Sequence, residues 1–95
     1  MHAVVRTYSG KGAKELFDVL EQRKSDVEKV LRGISGCRSY SLIRTADGGI
    51  SVTVCADKAG ADESVRVAAN WVRENASSVG ANPPKVSEGP VILQF

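Results

Sequence analysis

The sequence has little with which to do chemistry: one histidine, His2, and two cysteines, Cys37 and Cys55, among 95 residues. No set of histidine, cysteine and carboxylate has the spacing of a zinc site, and the expectation is a protein without metal or other cofactor. Either thiol would need a nearby base to act as a nucleophile, and the only imidazole stands at the chain start. Aromatic residues make up 5% of the chain and hydrophobic residues 42%, so the core must be built mainly from Val, Ile, Leu and Ala. No apolar run approaches the roughly 20 residues that span a bilayer. The start Met-His-Ala-Val-Val-Arg lacks the apolar stretch of a signal peptide, so the expected location is cytoplasmic, with both thiols reduced. The 13 basic and 11 acidic residues are interspersed, and a net charge of +2 argues for neither a nucleic-acid nor a membrane partner.

What is present organises itself around residues 37–57. β-Branched and aromatic residues flank Ala46-Asp47-Gly48-Gly49, where Asp-Gly favours a tight turn, so two strands fold back on each other. With Asp47-Gly48 at the tip, Ser39, Ser41, Ile43, Thr45, Ile50, Val52, Val54 and Ala56 share one side of the pleat. Arg38, Tyr40, Leu42, Arg44, Ser51, Thr53, Cys55 and Asp57 share the other, while Cys37 falls on the Ser39 side. Ahead of the hairpin, Ala3–Tyr8 reads as a strand. Ala13, Leu16, Phe17, Leu20, Val27, Leu31 and Ile34 make one apolar stripe on a helix from about residue 12 to 32, with Gly33 as a left-handed cap. Lys24 falls on that stripe, as a pocket cation or as a long stem lying along apolar surface with its ammonium in water. A second helix follows, capped by Asp62, with Val65, Ala68, Ala69, Val72, Ala76 and Val79 as its stripe and Gly80 at its end. Trp71 lies on a flank of that helix with Ser64, Val67 and Asn75, and so needs a second surface to pack against. Asn82-Pro83-Pro84-Lys85 leads into a last strand whose regular part is 91–95, with Pro90 confining it to an edge or a bulge.

There is no repeat or linker, so residues 1–95 form a single α+β domain. The order β-α-β-β-α-β with right-handed crossovers gives a four-stranded antiparallel sheet with both helices on one face, the ferredoxin-like arrangement. That fold hosts many functions, and several are excluded by residues. RNA-recognition domains stack bases on strand aromatics, and Ile50–Cys55 has none. Metal carriers of this topology resemble a Cys-x-x-Cys pattern missing from Tyr8–Gly12, and the acylphosphatase loop is poorly matched by Ser9-Gly10-Lys11-Gly12.

In topology, length and element spacing the chain resembles the small dimeric α+β-barrel proteins, the group that includes antibiotic-biosynthesis monooxygenases. The resemblance implies a homodimer with two sheets packed face to face and a small-molecule pocket between sheet and helices. In some members that pocket oxidises polycyclic aromatics without metal or flavin. Asn70-Trp71 and Asn75 are similar to residues lining such pockets, whereas the helix histidine of haem-degrading members is missing. Two classes of function follow. One is a pocket for a small apolar or aromatic molecule, with cofactor-free monooxygenase-like activity, bounded by Lys24, Trp71, Asn75 and the small residues Ser39, Ser41 and Ala56. The other is a non-catalytic dimeric binding or structural module. Two helices cover only one sheet face, and the face expected to remain for dimerisation carries Val4, Tyr40 and Leu42.

Overall fold

A computed structural model describes all 95 residues. Four strands, β1 (His2–Tyr8), β2 (Cys37–Thr45), β3 (Gly48–Cys55) and β4 (Lys85–Pro90), form one antiparallel sheet in the order β2-β3-β1-β4. Three helices pack on one face: α1 (Ala13–Gln22), α2 (Lys24–Arg32) and α3 (Lys58–Asn75), the last followed by a short 3-10 turn at Ser77–Val79. This is the ferredoxin-like arrangement, with the first expected helix divided in two.

The division has a physical cause. All seven residues of the expected stripe, Ala13 to Ile34, are buried. A continuous helix would carry Lys24 onto that same face, between Leu20 and Val27. Instead the chain leaves helical geometry at Arg23 (φ −113°, ψ 28°). Its carbonyl starts α2 by accepting from Asp26 and Val27 at 3.0 and 3.1 Å, and Lys24 becomes exposed. Glu28 and Arg32 pair at 2.7 Å as the i,i+4 spacing predicts. The left-handed glycine after α2 is not Gly33, which is right-handed, but Gly36 at φ 79°.

The hairpin forms with its turn one residue earlier than expected. Thr45 opposes Gly48 across Ala46-Asp47, and Tyr40 opposes Thr53. This shifts the register by two residues, which keeps every side chain between Ser39 and Val54 on its expected side of the pleat. A bulge at Arg38 then turns Cys37 over, so it opposes Cys55 and shares its face rather than the Ser39 side. Both cysteines are free.

The assignment of faces is reversed. Residues Val4, Tyr40 and Leu42 do share one side, but it is the side the helices cover. Ser39, Ser41, Ile43, Val52 and Val54 lie on the open side, where Ile43 is 47% exposed. Both sides of the hairpin are amphipathic, so alternation alone does not decide between them. β1 decides, because Val4 and Tyr8 are buried with Arg6 between them.

The C-terminal half also departs from expectation. α3 begins at Lys58, where the Asp57 carboxylate accepts from the Gly60 N–H at 2.9 Å, so Asp57 rather than Asp62 is the cap. Its buried face is Gly60, Ala61, Ser64, Ala68 and Trp71, which puts Trp71 in the main core. β4 ends at Pro90, on the sheet edge as proline requires, and residues 91–95 lie beyond the ladder with Ile92, Leu93 and Phe95 exposed.

At the hairpin end of the core, Phe17 lies directly on the backbone of Gly49, where any Cβ would run into its ring. Tyr8 meets that ring edge-on, with centroids 5.7 Å apart and planes at 64°. Gly49→Ala is therefore expected to force Phe17 from its rotamer and destabilise the fold by about 1–3 kcal/mol. Denaturant unfolding measures this, and an unchanged midpoint would contradict the packing.

Candidate functional site

Strand alternation fixes the floor of the site. His2, Val4, Arg6 and Tyr8 all point from β1 toward the helices, with Arg6 opposite Ser51 of β3. Arg6 is 2% exposed. Its Nε donates to Ser51 Oγ at 2.9 Å and its Nη2 to Thr53 Oγ1 at 3.0 Å. Nη1 has no partner at all, and every ion pair in the structure is made by other residues. A guanidinium thus sits under the helices with two neutral hydroxyls and one nitrogen without a partner.

Around it stand Tyr8, Tyr40 and Trp71, with Leu20, Val27, Leu31 and Leu42 closing a small cavity of about 20 Å³. Val27, Leu31, Tyr40 and Leu42 also wall a larger cleft of about 390 Å³ between α2 and β2. The cleft opens past Lys24, Glu28, Arg32, Arg38 and Ser39. Its walls come from two elements of opposite period, with Val27 and Leu31 one turn apart on α2 and Tyr40 and Leu42 two residues apart on β2.

Trp71 is held in place from above. Asn75 Nδ2 donates to the Trp71 carbonyl at 3.0 Å, and Asn75 Oδ1 accepts from Arg23 Nη1 at 2.9 Å. Arg23 also donates to Asp26 through Nε and Nη2 at 3.0 and 2.8 Å, and its guanidinium stands 5.6 Å from the indole centroid. The break between α1 and α2 is thereby tied to α3.

Of the residues singled out from sequence, Trp71 lines the inner cavity, and Lys24 and Ser39 line the mouth of the outer cleft. Asn75 stands one turn beyond Trp71, bonded to Arg23. Ser41 is on the open side of the sheet, opposite Val52, and Ala56 lies at the far end of β3 against Gly36, its N–H donating to the Gly36 carbonyl at 2.7 Å. Neither borders the cleft, because the small-residue face is not the one beneath the helices. Arg6 and Tyr8 were not singled out, and Tyr40 was assigned to the dimer face instead. The signal for Arg6 was parity, since it lies two residues from both Val4 and Tyr8 on one strand. No set of three or more His, Cys, Asp or Glu side chains gathers where it could hold a metal ion.

Burial pushes the Tyr8 phenol above its ordinary value of about 10, against the opposing charge of Arg6. Burial does the same to Tyr40, again with Arg6 opposing, and the guanidinium lies near both phenols without either hydroxyl reaching hydrogen-bond geometry with Nη1. The Cys55 thiol is raised above its ordinary value of about 9 by burial and by neighbouring Cys37. Each of these groups holds its proton more tightly in the folded protein than in the unfolded chain. The native state therefore binds more protons at alkaline pH, and stability is lost as pH rises from about 9 through the raised folded values. Tyr8 and Tyr40 are the only tyrosines, so near-ultraviolet titration reads them alone. Phenolate absorbance is expected above the range of free tyrosine and together with loss of circular dichroism. Titration at the free-tyrosine value with the fold intact would place the phenols outside the core.

No protein-family model matches the sequence, and no curated protein matches it. Solved structures do match, over nearly the whole chain. One is a monooxygenase from the gene ActVA-Orf6 of Streptomyces coelicolor, in complex with nanaomycin D. It is 19% identical with a TM-score of 0.62, over 99% of this chain and 91% of that one. A MhuD variant with two manganese protoporphyrin IX molecules bound per active site is 15% identical with a TM-score of 0.68, over 99% and 96%. A dimeric ferredoxin-like protein from an uncultured marine organism is 14% identical with a TM-score of 0.62, over 99% and 94%. At these identities the likeness is one of fold: the chain has the ferredoxin-like α+β fold that these structures share.

Proposed function

We propose that the protein binds a small apolar or aromatic molecule in the cleft between α2 and β2, beside the small cavity lined by Arg6, Tyr8 and Tyr40. The observation that carries this reading is the cleft of about 390 Å³ that shares four wall residues with the cavity over Arg6. Its size falls within the roughly 300–1,000 Å³ of small-molecule sites, and apolar walls around a few fixed polar groups are their usual composition. Fold neighbours that hold nanaomycin D and manganese protoporphyrin IX support a ligand-binding reading.

Whether the site also reacts is a second reading, favoured by the likeness to a monooxygenase. The floor supplies one fixed positive charge and two phenols, and no carboxylate or imidazole lines the cavity over Arg6. Such a floor orients a ligand more readily than it abstracts a proton from one. Dioxygen uptake above the buffer rate with a polycyclic phenol would mark an oxygenase without metal or flavin. Uptake at the buffer rate leaves a binding module.

The protomers are further proposed to pair through the open sheet face, on which Ala3, Val5, Ile43, Ile50, Val52 and Val54 form an apolar surface without helices. Support comes from that face itself, from the exposed Ile92, Leu93 and Phe95 beyond β4, and from the dimeric fold neighbour. A twofold pairing would bury roughly 1,200 Å² or more.

Two measurements test these proposals. Titration with a neutral polycyclic aromatic, followed by the NMR signal of the indole N–H of Trp71, the only tryptophan, should give a saturable shift. No shift up to the solubility limit would remove the binding reading. Sedimentation should give a dimer at micromolar concentration, and Ile43→Asp should weaken it by about 3 kcal/mol, since an unpaired charge would enter the interface. A monomeric parent protein would remove the dimer.

A further inference from the structure

We infer that the ligand of this cleft is an apolar acid whose carboxylate meets Arg6 Nη1, with its hydrocarbon body in the space between α2 and β2. The inference rests on the cleft being a ligand site and adds the chemical class of what enters it. Two features of the molecule call for a negative charge, and the shape of the space says where the rest of the ligand lies.

The first is the unmatched guanidinium. Arg6 is 98% removed from solvent by its 2% exposure, it has no carboxylate partner, and two of its three nitrogens are taken by neutral hydroxyls. The third, Nη1, is buried without a hydrogen bond of good geometry, although the Tyr8 and Tyr40 hydroxyls lie near the guanidinium. A buried ion is tolerated when it is paired and fully hydrogen-bonded, so both the missing charge and the missing acceptor call for the same group, an anionic oxygen.

Next is the shape of the space. The cavity that Arg6 lines has room of about 20 Å³, enough for one oxygen-sized group and no more. The cleft of about 390 Å³ begins on the other side of Tyr40 and Leu42, which border both spaces. A molecule with a single acidic head and an apolar body matches that division, the head reaching past Tyr40 and the body lying against Val27 and Leu31.

The second feature that calls for a negative charge is the charge of the mouth. Lys24 and Arg38 line it and form no ion pair, while Glu28 there is already neutralised by Arg32 at 2.7 Å. The entrance is net positive, which draws acids in and disfavours cations. A buried water is the other occupant that the small cavity could take, and it would satisfy Nη1 without any charge.

A matched pair of probes separates these cases at neutral pH: 2-naphthoate, which is ionised, and 2-naphthamide, which has nearly the same shape without the charge. In NMR titrations of the native protein, 2-naphthoate is expected to bind at least tenfold more tightly, about 1.4 kcal/mol, and to shift both the Trp71 indole and the Arg6 Nε–H signals. In Arg6→Met the preference for the acid over the amide should vanish. A crystal of the native protein with 2-naphthoate, its carboxylate on Nη1, supports the same conclusion without any substitution and decides the matter if Arg6→Met does not fold. Equal binding of acid and amide would overturn the inference and leave the ligand site standing, with water on Nη1. A preference that survives Arg6→Met but is lost in Arg38→Gln would overturn the role of Arg6 in favour of the mouth. Binding of neither probe would overturn the ligand site itself.

Discussion

A guanidinium enclosed between sheet and helices is the constraint to which the rest of the structure answers. Arg6 sits near the middle of β1, one of the two interior strands of the sheet, and no carboxylate pairs with it. The hydroxyls of Ser51 and Thr53 are where they are because β3 presents every second residue to the same side. Tyr8 and Tyr40 bring rings whose polar tips accompany the charge while their bodies join the apolar layer. Trp71 and the α1–α2 stripe then close over the top. Removing the charge would leave Ser51 and Thr53 without their donors, and keeping it leaves one nitrogen unmatched. Either way the middle of the domain is polar in a small protein that has little core to spare.

Much of this architecture was legible in the sequence. The α1–α2 stripe follows from helical periodicity, the hairpin from β-branched residues flanking its turn, and the order of elements from both. The break at Arg23 could be read from Lys24, the one charged residue on an otherwise apolar stripe, had the misfit been referred to the backbone rather than to the side chain. The faces of the hairpin were not legible, because Ile43, Val52 and Val54 are as apolar as Tyr40 and Leu42, and a sheet with two apolar sides gives no parity signal. The buried face of α3 misled for a related reason. Ala68 and Ala76 of the expected stripe are buried, but Gly60, Ala61 and Ser64 also bury because they are small, whereas Val65, Ala69 and Val72 run along the neighbouring flank. Small residues mark close approach of backbone as surely as large ones mark filled volume.

The candidate site was half legible. Trp71, Lys24 and Ser39 border the spaces that a ligand would use, and Asn75 steadies the tryptophan through its backbone. Ser41 and Ala56 were tied to the site by the reversed faces and fall away with them. Arg6 escaped notice because an arginine in a short strand is ordinarily a solvated residue. Only the fixed positions of Val4 and Tyr8 make it otherwise.

The division of the first helix has a consequence for motion. A helix of nine residues has too few internal hydrogen bonds to hold itself together in water. α2 therefore owes its order to what lies beneath Val27 and Leu31, and that is the wall of the cleft. Its amides and the occupancy of the cleft are thermodynamically linked: whatever fills the space slows the exchange of α2 protons with solvent, and whatever frays α2 empties it. Arg23, bonded to Asp26 of α2 and Asn75 of α3, fixes one end of the segment, and the buried Leu31 and Ile34 fix the other, so the cleft wall is held from both sides.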